Sequence, residues 1–184
     1  DGTRLNRIIE VNVADRYITV EAGCTWAAVN AALEGTGLRT AYWGPLSGLK
    51  ATVGGALSQN SAFFGSTTHG TVADSVIGVT VVLADGTLVT TGSGGRNNTK
   101  PFTREGGPDM TGLFLGDNGA MGFKVSATLR LKRLDNLDVF LDLPLFTGLA
   151  LTVCAFILIT LNAGMSRHFA YTSTVVGILS AVSL

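Results

Sequence analysis

A glycine-rich stretch from Gly44 to Ala62 contains the residue types best suited to hold a ligand. It reads GPLSGLKATVGGALSQNSA, with adjacent glycines among serine, threonine and asparagine. Consecutive glycines let backbone N–H groups approach a ligand closely, and groups of such amides favour anions such as a pyrophosphate. The stretch contains neither the GxxxxGK[ST] of a P-loop nor the GxGxxG of a Rossmann fingerprint. Two interpretations stay open, an anion cradle or an ordinary glycine-rich turn.

A second segment with small residues runs from Gly112 to Lys124 and reads GLFLGDNGAMGFK. Its Gly119, Ala120 and Gly122 would let a flat ring or a ribose pack against the main chain at the start of the next strand. The segment by itself does not identify a ligand.

The other reactive side chains are isolated. Neither Ser58 nor Ser61 has a histidine at the spacing of a known nucleophile motif, so both are predicted to be loop hydroxyls. No zinc site or disulfide framework is predicted from the isolated histidines and cysteines, which are His69, His168, Cys24 and Cys154. The formal net charge is zero and no Lys/Arg cluster is present. This charge balance argues against a nucleic-acid partner.

The elements that would position these segments are mainly β-strands. β-branched and apolar residues predict a hairpin near the amino terminus, and Asp85-Gly86 is the strongest short hairpin signal in the chain. A further strand before Leu134 alternates strictly between apolar residues and polar or charged ones. The predicted strands are 7–13, 16–22, 75–84, 87–91 and 123–132.

One helix is predicted after Cys24. Thr25 is a suitable N-cap, apolar residues follow at helical spacing from Trp26 to Leu33, and Gly35 ends the pattern. The stretch 43–70 has little periodicity and is predicted to be a loop with short ordered turns. A loop of this length favours a functional role.

The carboxyl-terminal part has a different composition. Of the 26 charged residues, all but four lie in the first 134 positions. The run Leu143–Ala163 has no charge over 21 residues, and Phe169–Leu184 has none over 16. Because about 20 apolar residues span a bilayer core, we expect residues 143–184 to form one or two transmembrane helices after a linker at 135–142. The alternative is a pair of buried core helices.

Several motifs in order resemble a known family. They are Thr52–Gly55, His69–Gly78, Val82–Thr87, Gly107–Asp109 and Gly112–Gly116. Their order and spacing resemble the D-lactate dehydrogenase and glycolate oxidase branch of the FAD-linked oxidases, the vanillyl-alcohol oxidase type with a PCMH-type FAD-binding domain. The likeness covers about residues 5–134. It implies an α+β fold, the second subdomain of that domain, with FAD as cofactor.

The resemblance also implies which residues contact the flavin. One group would line the pyrophosphate and the flavin side: Pro45, Leu46, Ser47, Gly48, Thr52, Gly54, Gly55, Gln59, Asn60, Ser61 and Ala62. Another would touch the adenosine and ribityl side: Asn118, Gly119, Ala120, Gly122, Phe123 and Lys124. Family members commonly have Tyr at the position of His69, and Ile-Val or Ile-Lys at Phe123-Lys124.

The family's activity would be oxidation of a 2-hydroxy acid, such as D-lactate or glycolate, with hydride transfer to the flavin. The family's first subdomain would precede Leu5, and its cap domain would follow the closing strand, where this sequence has the hydrophobic tail. That cap carries the family's substrate-binding residues, so no catalytic residue is assigned in 1–184. The expected partners are the hydroxy acid, the membrane, and a quinone or cytochrome that accepts electrons.

Two hypotheses of function remain open. The first is an FAD-dependent oxidoreductase tethered to the membrane, with its flavin-binding part on the cytoplasmic side. This topology is expected because Arg130, Lys132 and Arg133 precede the uncharged run, whereas Arg167 alone follows it. The second is an incomplete or fused membrane protein in which a partial flavin fold does no redox work.

Overall fold

The computed structural model describes residues 2–41, 49–62, 66–96 and 99–134. Residues Asp1–Leu134 form one compact unit, and its described part is a small α+β domain. The predicted linker at 135–142 and the predicted transmembrane region at 143–184 lie outside the described residues. No helix within the described ranges is both long and apolar enough to cross a membrane.

An antiparallel sheet forms the centre of this domain. Its strands run in the order β1-β2-β6-β4-β5, and β3 pairs with the far end of β6. The strands are β1 (Ile8–Asn12), β2 (Tyr17–Glu21), β3 (Leu38–Thr40), β4 (Val76–Val82), β5 (Leu88–Thr90) and β6 (Phe123–Arg133). The long strand β6 therefore has partners along both edges.

Local signals account for the connections of the sheet. The predicted amino-terminal hairpin is confirmed, because β1 and β2 pair antiparallel. The Asp85-Gly86 turn also joins β4 to β5 as predicted. Gly86 has a positive φ of 86°, which favours glycine, and its N–H donates to the Leu83 carbonyl at 2.9 Å. The turn therefore sets which residues of the two strands face each other.

In the part of the chain that the structure describes, three helices accompany the sheet: α1 (Trp26–Leu33), α2 (Val53–Gln59) and α3 (Ser66–His69). Thr25 caps α1 as predicted, since its hydroxyl accepts a hydrogen bond from the Ala28 N–H at 3.2 Å. Short 3₁₀ turns lie at Gly2–Arg4, Val72–Ser75, Ser93–Gly95 and Gly112–Phe114.

Helices α2 and α3 both lie inside the stretch 43–70 that was predicted to be a loop. That prediction is wrong at α2 because its apolar residues occupy one face at the spacing i, i+3, i+4. Val53, Ala56 and Leu57 are all buried in the core against the sheet. Complete burial of side chains such as Val53 and Leu57 contributes about 1.5–3 kcal/mol each, which outweighs the low helix propensity of Gly54-Gly55.

The strict alternation predicted for β6 fails at its first residues. From Ala127 to Leu131 the odd-numbered residues are buried as predicted, but Lys124 is buried and Phe123 is 53% exposed. The register between β4 and β6 shifts here, since Thr80 faces Ser126 whereas Val81 faces Lys124. One extra residue in a strand reverses the side to which the residues beyond it point. The shift therefore places Lys124 on the inner side of the sheet.

Candidate functional site

A cleft of about 1020 Å³ lies beside the amino-terminal turn of α2 and the first residues of β6. The end of β4 and the segment between β2 and α1 complete its walls. The cleft brings together eight of the residues predicted from sequence to bind a cofactor: Thr52, Gly54, Gly55, Gly119, Ala120, Gly122, Phe123 and Lys124. Two segments about 65 residues apart in the chain therefore line the same cleft, although neither segment identifies a ligand by itself.

The other predicted site residues fall into two groups. Pro45, Leu46, Ser47 and Gly48 lie outside the described residues. A second group is described but does not line the cleft, and its role in cofactor contact stays a prediction: Gln59, Asn60, Ser61, Ala62 and Asn118.

Asn60 and Asn118 have contacts that connect neighbouring loops. Asn60 ends α2 in the left-handed conformation, and its side-chain oxygen accepts a hydrogen bond from the Ala73 N–H at 3.2 Å. The N–H of Asn118 donates to the Ser58 carbonyl at 2.8 Å. These contacts attach the loop before β6 and the turn before β4 to helix α2.

Several cleft residues were not predicted from the sequence. They include Lys50, Ser58 and the connection Ala22–Thr25. A Cβ on Gly23 would collide with the carbonyl oxygens of Gly2 and Leu5. A glycine between a strand end and a helix N-cap was the available signal, because it marks a close approach of two backbone segments.

The amides at the start of α2, including those of the adjacent glycines, have hydrogen-bond partners within the protein. In the first turn the N–H of Val53 donates to the Cys24 carbonyl at 2.8 Å, and that of Gly54 to the Ala22 carbonyl at 2.7 Å. The Gly55 N–H donates to the Thr52 hydroxyl at 3.2 Å. These three amides thus already have partners within the protein, and contact of this turn with a cofactor stays a prediction.

The two glycines also control how closely atoms approach each other. A Cβ on Gly54 would lie 2.8 Å from the Ala22 Cβ and 2.9 Å from its carbonyl oxygen, so only glycine fits against that strand end. Gly55 is exposed in the cleft, and a Cβ there would meet only the Thr52 hydroxyl, at 3.2 Å. Gly54 therefore serves the packing of the helix, whereas Gly55 keeps the cleft surface open.

The charged groups of the cleft favour an anionic ligand. Among its described lining residues, Lys50 and Lys124 are cationic and none carries a carboxylate. Lys50 is exposed to solvent. Lys124 is paired with Asp117, so Lys50 supplies the positive charge that attracts anions such as phosphates.

Lys124 has a carboxylate partner behind the cleft surface. Its ammonium lies 2.6 Å from Asp117 Oδ1, and the two side chains are 3% and 4% exposed. Burial raises the pKa of Asp117, but hydrogen bonds from Lys124 and from the amides of Gly119 and Met121 outweigh burial and lower the pKa overall. Asp117 therefore stays ionised at neutral pH and neutralises Lys124.

Apolar side chains also border the cleft. Leu49, Met121 and Phe123 all line it, and each is at least half exposed. Exposed apolar side chains beside a polar, glycine-rich surface suit a ligand that combines a flat ring with phosphates.

His69 lies elsewhere. It ends α3, its Nδ1 contacts the Lys132 ammonium of β6, and it is not part of the cleft lining. Within the described ranges no cluster of His, Cys, Asp or Glu could hold a metal ion.

Comparison with known proteins identifies the kind of ligand. The FAD binding domain family matches residues 1–92, which is half of the chain. The chain is 33% identical over 129 residues to the probable mitochondrial D-lactate dehydrogenase of Danio rerio, covering 70% of this chain and 24% of that protein.

Two further relatives agree with this match. The chain is 30% identical over 126 residues to mitochondrial D-lactate dehydrogenase (cytochrome) 1 of Saccharomyces cerevisiae, covering 68% of this chain and 20% of that protein. It is 30% identical over 131 residues to an uncharacterized FAD-linked oxidoreductase of Escherichia coli, covering 71% and 25%. The chain spans about a quarter or less of the length of these relatives.

Proposed function

The chain belongs to the FAD-binding domain family, whose cofactor is FAD, and we propose that residues 1–134 form one wall of the flavin site in an oxidoreductase. The reaction we propose is oxidation of a 2-hydroxy acid, D-lactate or a similar acid, with hydride transfer to the flavin. The observation that carries the proposal is the cleft, in which the residues implied by the family resemblance at 52–55 and at 119–124 face each other.

The residues of the cleft fit FAD. Its volume of about 1020 Å³ lies at the upper end of the roughly 300–1,000 Å³ range of ligand pockets, as a large cofactor requires. Gly55 and Gly119 have no Cβ, and added Cβ atoms would not collide with backbone at either position, so the space beside them is open. Lys50 supplies positive charge for a diphosphate, whereas Leu49 and Phe123 supply apolar surface for rings.

When bound, FAD supplies the acceptor for a hydride, and the protein supplies binding and orientation. In this chain α2 is held against the strand end at Ala22 by the Gly54 contact, so the open surface at Gly55 has a defined position. The segment 119–124 forms the facing wall. Within the described residues we assign no group that accepts the substrate proton.

Titration of the purified full chain with FAD tests the flavin site. Weak but saturable quenching of flavin fluorescence is expected, because residues 1–134 form only one wall of the site, and ADP should compete because it shares the diphosphate. Absence of saturable binding up to millimolar FAD would refute the flavin site. For the reaction, an oxidoreductase that contains residues 1–134 together with its substrate-binding residues should show more rapid anaerobic bleaching of its flavin absorbance with D-lactate than with L-lactate.

A second function is supported by the uncharged runs of the sequence. Residues 143–184 hold one charged residue, Arg167. A partial flavin fold fused to a membrane segment would bind FAD without redox activity. In that case FAD would bind, but no 2-hydroxy acid would bleach it, which separates this function from the first.

We propose further that Leu143–Ala163 spans a membrane, with the flavin-binding part on the cytoplasmic side. These residues lie outside the described ranges, so the support is the charge-free length of 21 residues and the three basic residues shortly before it. A membrane location would let a quinone or a cytochrome accept the electrons. The name of the yeast relative, D-lactate dehydrogenase (cytochrome) 1, is consistent with a cytochrome.

Fractionation and labelling test the membrane proposal. The intact chain should remain with membranes after a carbonate wash, and Phe156→Asp should weaken insertion by about 2.5–3.5 kcal/mol. Recovery of the chain in the carbonate-soluble fraction would favour buried helices instead. A cysteine placed at Asn6 should resist labelling from outside spheroplasts, and labelling there would reverse the topology.

A further inference from the structure

We propose that Asp117 and Lys124 are positioning residues, which together hold the cleft wall at 119–124 in the conformation that binds FAD. Neither residue needs to touch the cofactor through its charged group for this role. The inference rests on the proposed function, since it concerns the same flavin site.

Asp117 is the acceptor around which this segment folds. Its Oδ1 accepts hydrogen bonds from the Gly119 N–H at 3.1 Å and the Lys124 ammonium at 2.6 Å, and its Oδ2 accepts from the Met121 N–H at 3.1 Å. Its carbonyl accepts from the Ala120 N–H at 2.9 Å. One residue therefore binds four groups of the segment, three of them main-chain amides.

Contacts at both ends fix the turn at the start of this segment. Asn118 and Gly119 have positive φ values of 50° and 81°. Asparagine and glycine adopt this region more readily than other residues, which permits the turn. The Asn118 N–H bonds the Ser58 carbonyl of α2, and the carboxylate of Asp117 holds the other end of the turn. The positions of Gly119 and Ala120, which line the cleft, therefore depend on the contacts of Asp117.

Lys124 reaches Asp117 only because of the register shift between β4 and β6. With the regular alternation, Lys124 would be on the same side of the sheet as Ser126 and Thr128. The shift between Thr80 and Val81 turns it inward, where its side chain is 3% exposed. A buried carboxylate without a cation would be strongly unfavourable, so Lys124 keeps Asp117 ionised in its position.

The stability of the fold does not by itself require a buried ion pair at this place. Replacing both members of a buried ion pair by apolar residues of similar size is often neutral for folding, whereas removing one member is costly. The amides of Gly119 and Met121 belong to exposed residues and can bond water when Asp117 is absent. A double apolar variant therefore separates the positioning of the segment from the stability of the fold.

The experiment compares Asp117→Leu/Lys124→Met with the unmodified full chain by FAD titration, at a temperature well below the melting temperature of either. We expect a melting temperature close to that of the unmodified chain, and FAD affinity about ten-fold weaker or more. Asp117→Asn, which keeps one side-chain acceptor, should bind with intermediate affinity.

The pair Arg104 and Asp109 provides a matched control. Asp109 accepts hydrogen bonds from Arg104 at 2.5 Å and from the Gly112 N–H at 2.9 Å, so it supports a loop in the same manner. Neither residue lines the cleft. Asp109→Leu/Arg104→Met should leave FAD affinity within two-fold of that of the unmodified chain.

The outcomes distinguish the two proposals. If the unmodified chain shows no saturable FAD binding, the proposed function fails and this inference fails with it. If it binds FAD and Asp117→Leu/Lys124→Met binds equally well, the positioning role alone is refuted. Should the double variant not fold, Asp117→Asn decides. Weaker FAD binding by the folded variant, measured well below its melting temperature, supports the role, and unchanged affinity overturns it.

Discussion

Gly55→Asp should abolish FAD binding without weakening the fold. Gly55 is exposed in the cleft, and a Cβ there would meet only the hydroxyl of Thr52, at 3.2 Å. The added side chain therefore extends into the space that we assign to the diphosphate of FAD. Its carboxylate would carry a negative charge toward the negative charges of the phosphates.

The two effects of the substitution have opposite signs. Gly55 is the third residue of α2, which begins at Val53. A carboxylate in the first turn of a helix stabilises it by about 0.3–1 kcal/mol, and replacing glycine in a helix adds a further gain of up to about 0.5 kcal/mol. Two like charges roughly 5 Å apart at an effective dielectric constant of about 20 repel by about 3 kcal/mol. FAD affinity should therefore fall by more than about 100-fold.

Flavin fluorescence titration and thermal melting of the same samples measure these effects. Gly55→Asn is the matched control, because it adds nearly the same volume without the charge. We expect Gly55→Asn to bind FAD more weakly than the unmodified chain but more tightly than Gly55→Asp. Raising the salt concentration should narrow the gap between the two variants, since salt screens charges near the surface.

The reasoning would be refuted by a Gly55→Asp variant that binds FAD with the affinity of the unmodified chain. That result would mean that the diphosphate does not lie beside α2. A large loss of thermal stability would instead contradict the placement of Gly55 at an open surface, because the new side chain would then have to clash with neighbouring residues.

Three further predictions concern the fold around the cleft. Gly54→Ala should destabilise the protein by about 1–3 kcal/mol in urea unfolding, because its Cβ would lie 2.8 Å from the Ala22 Cβ; Gly55→Ala should not. The pKa of Asp117 is lower in the folded protein than in the unfolded chain, where it is about 3.9. The ionised carboxylate therefore contributes its full stabilisation above the unfolded pKa, and this stabilisation is lost as pH falls through the lower folded pKa. The difference in melting temperature between the unmodified chain and Asp117→Asn should thus be constant from about pH 5 to 7 and shrink below about pH 4; an equal difference at pH 3 would contradict this. Thr91→Val should cost about 1–3 kcal/mol, since the buried Thr91 hydroxyl accepts hydrogen bonds from Thr111 at 2.8 Å and from the Val79 N–H at 3.1 Å; Thr91→Ser keeps both bonds and should cost less.

Local sequence signals were sufficient where neighbouring residues decide the structure. The Thr25 cap of α1 and the Asp85-Gly86 turn depend on contacts within a few residues, so residue type and spacing predicted both. The order of the motifs likewise predicted the FAD-binding family from the sequence, and the family match over residues 1–92 confirms it. Eight of the residues that the resemblance implied line the cleft.

Tertiary structure alone decided how those residues act. The amides at the start of α2 donate to the carbonyls of Ala22 and Cys24. These carbonyls lie about 30 positions earlier in the chain, and no residue type near Gly54 indicates them. The inward position of Lys124 depends on the register of β6 against β4. Register is a joint property of two strands that are distant in sequence, so the alternation within one strand cannot reveal a shift between them. The meeting of Lys124 with Asp117 is a consequence of that shift, and for this reason the sequence predicted Lys124 as a cleft residue without indicating the carboxylate that holds it there.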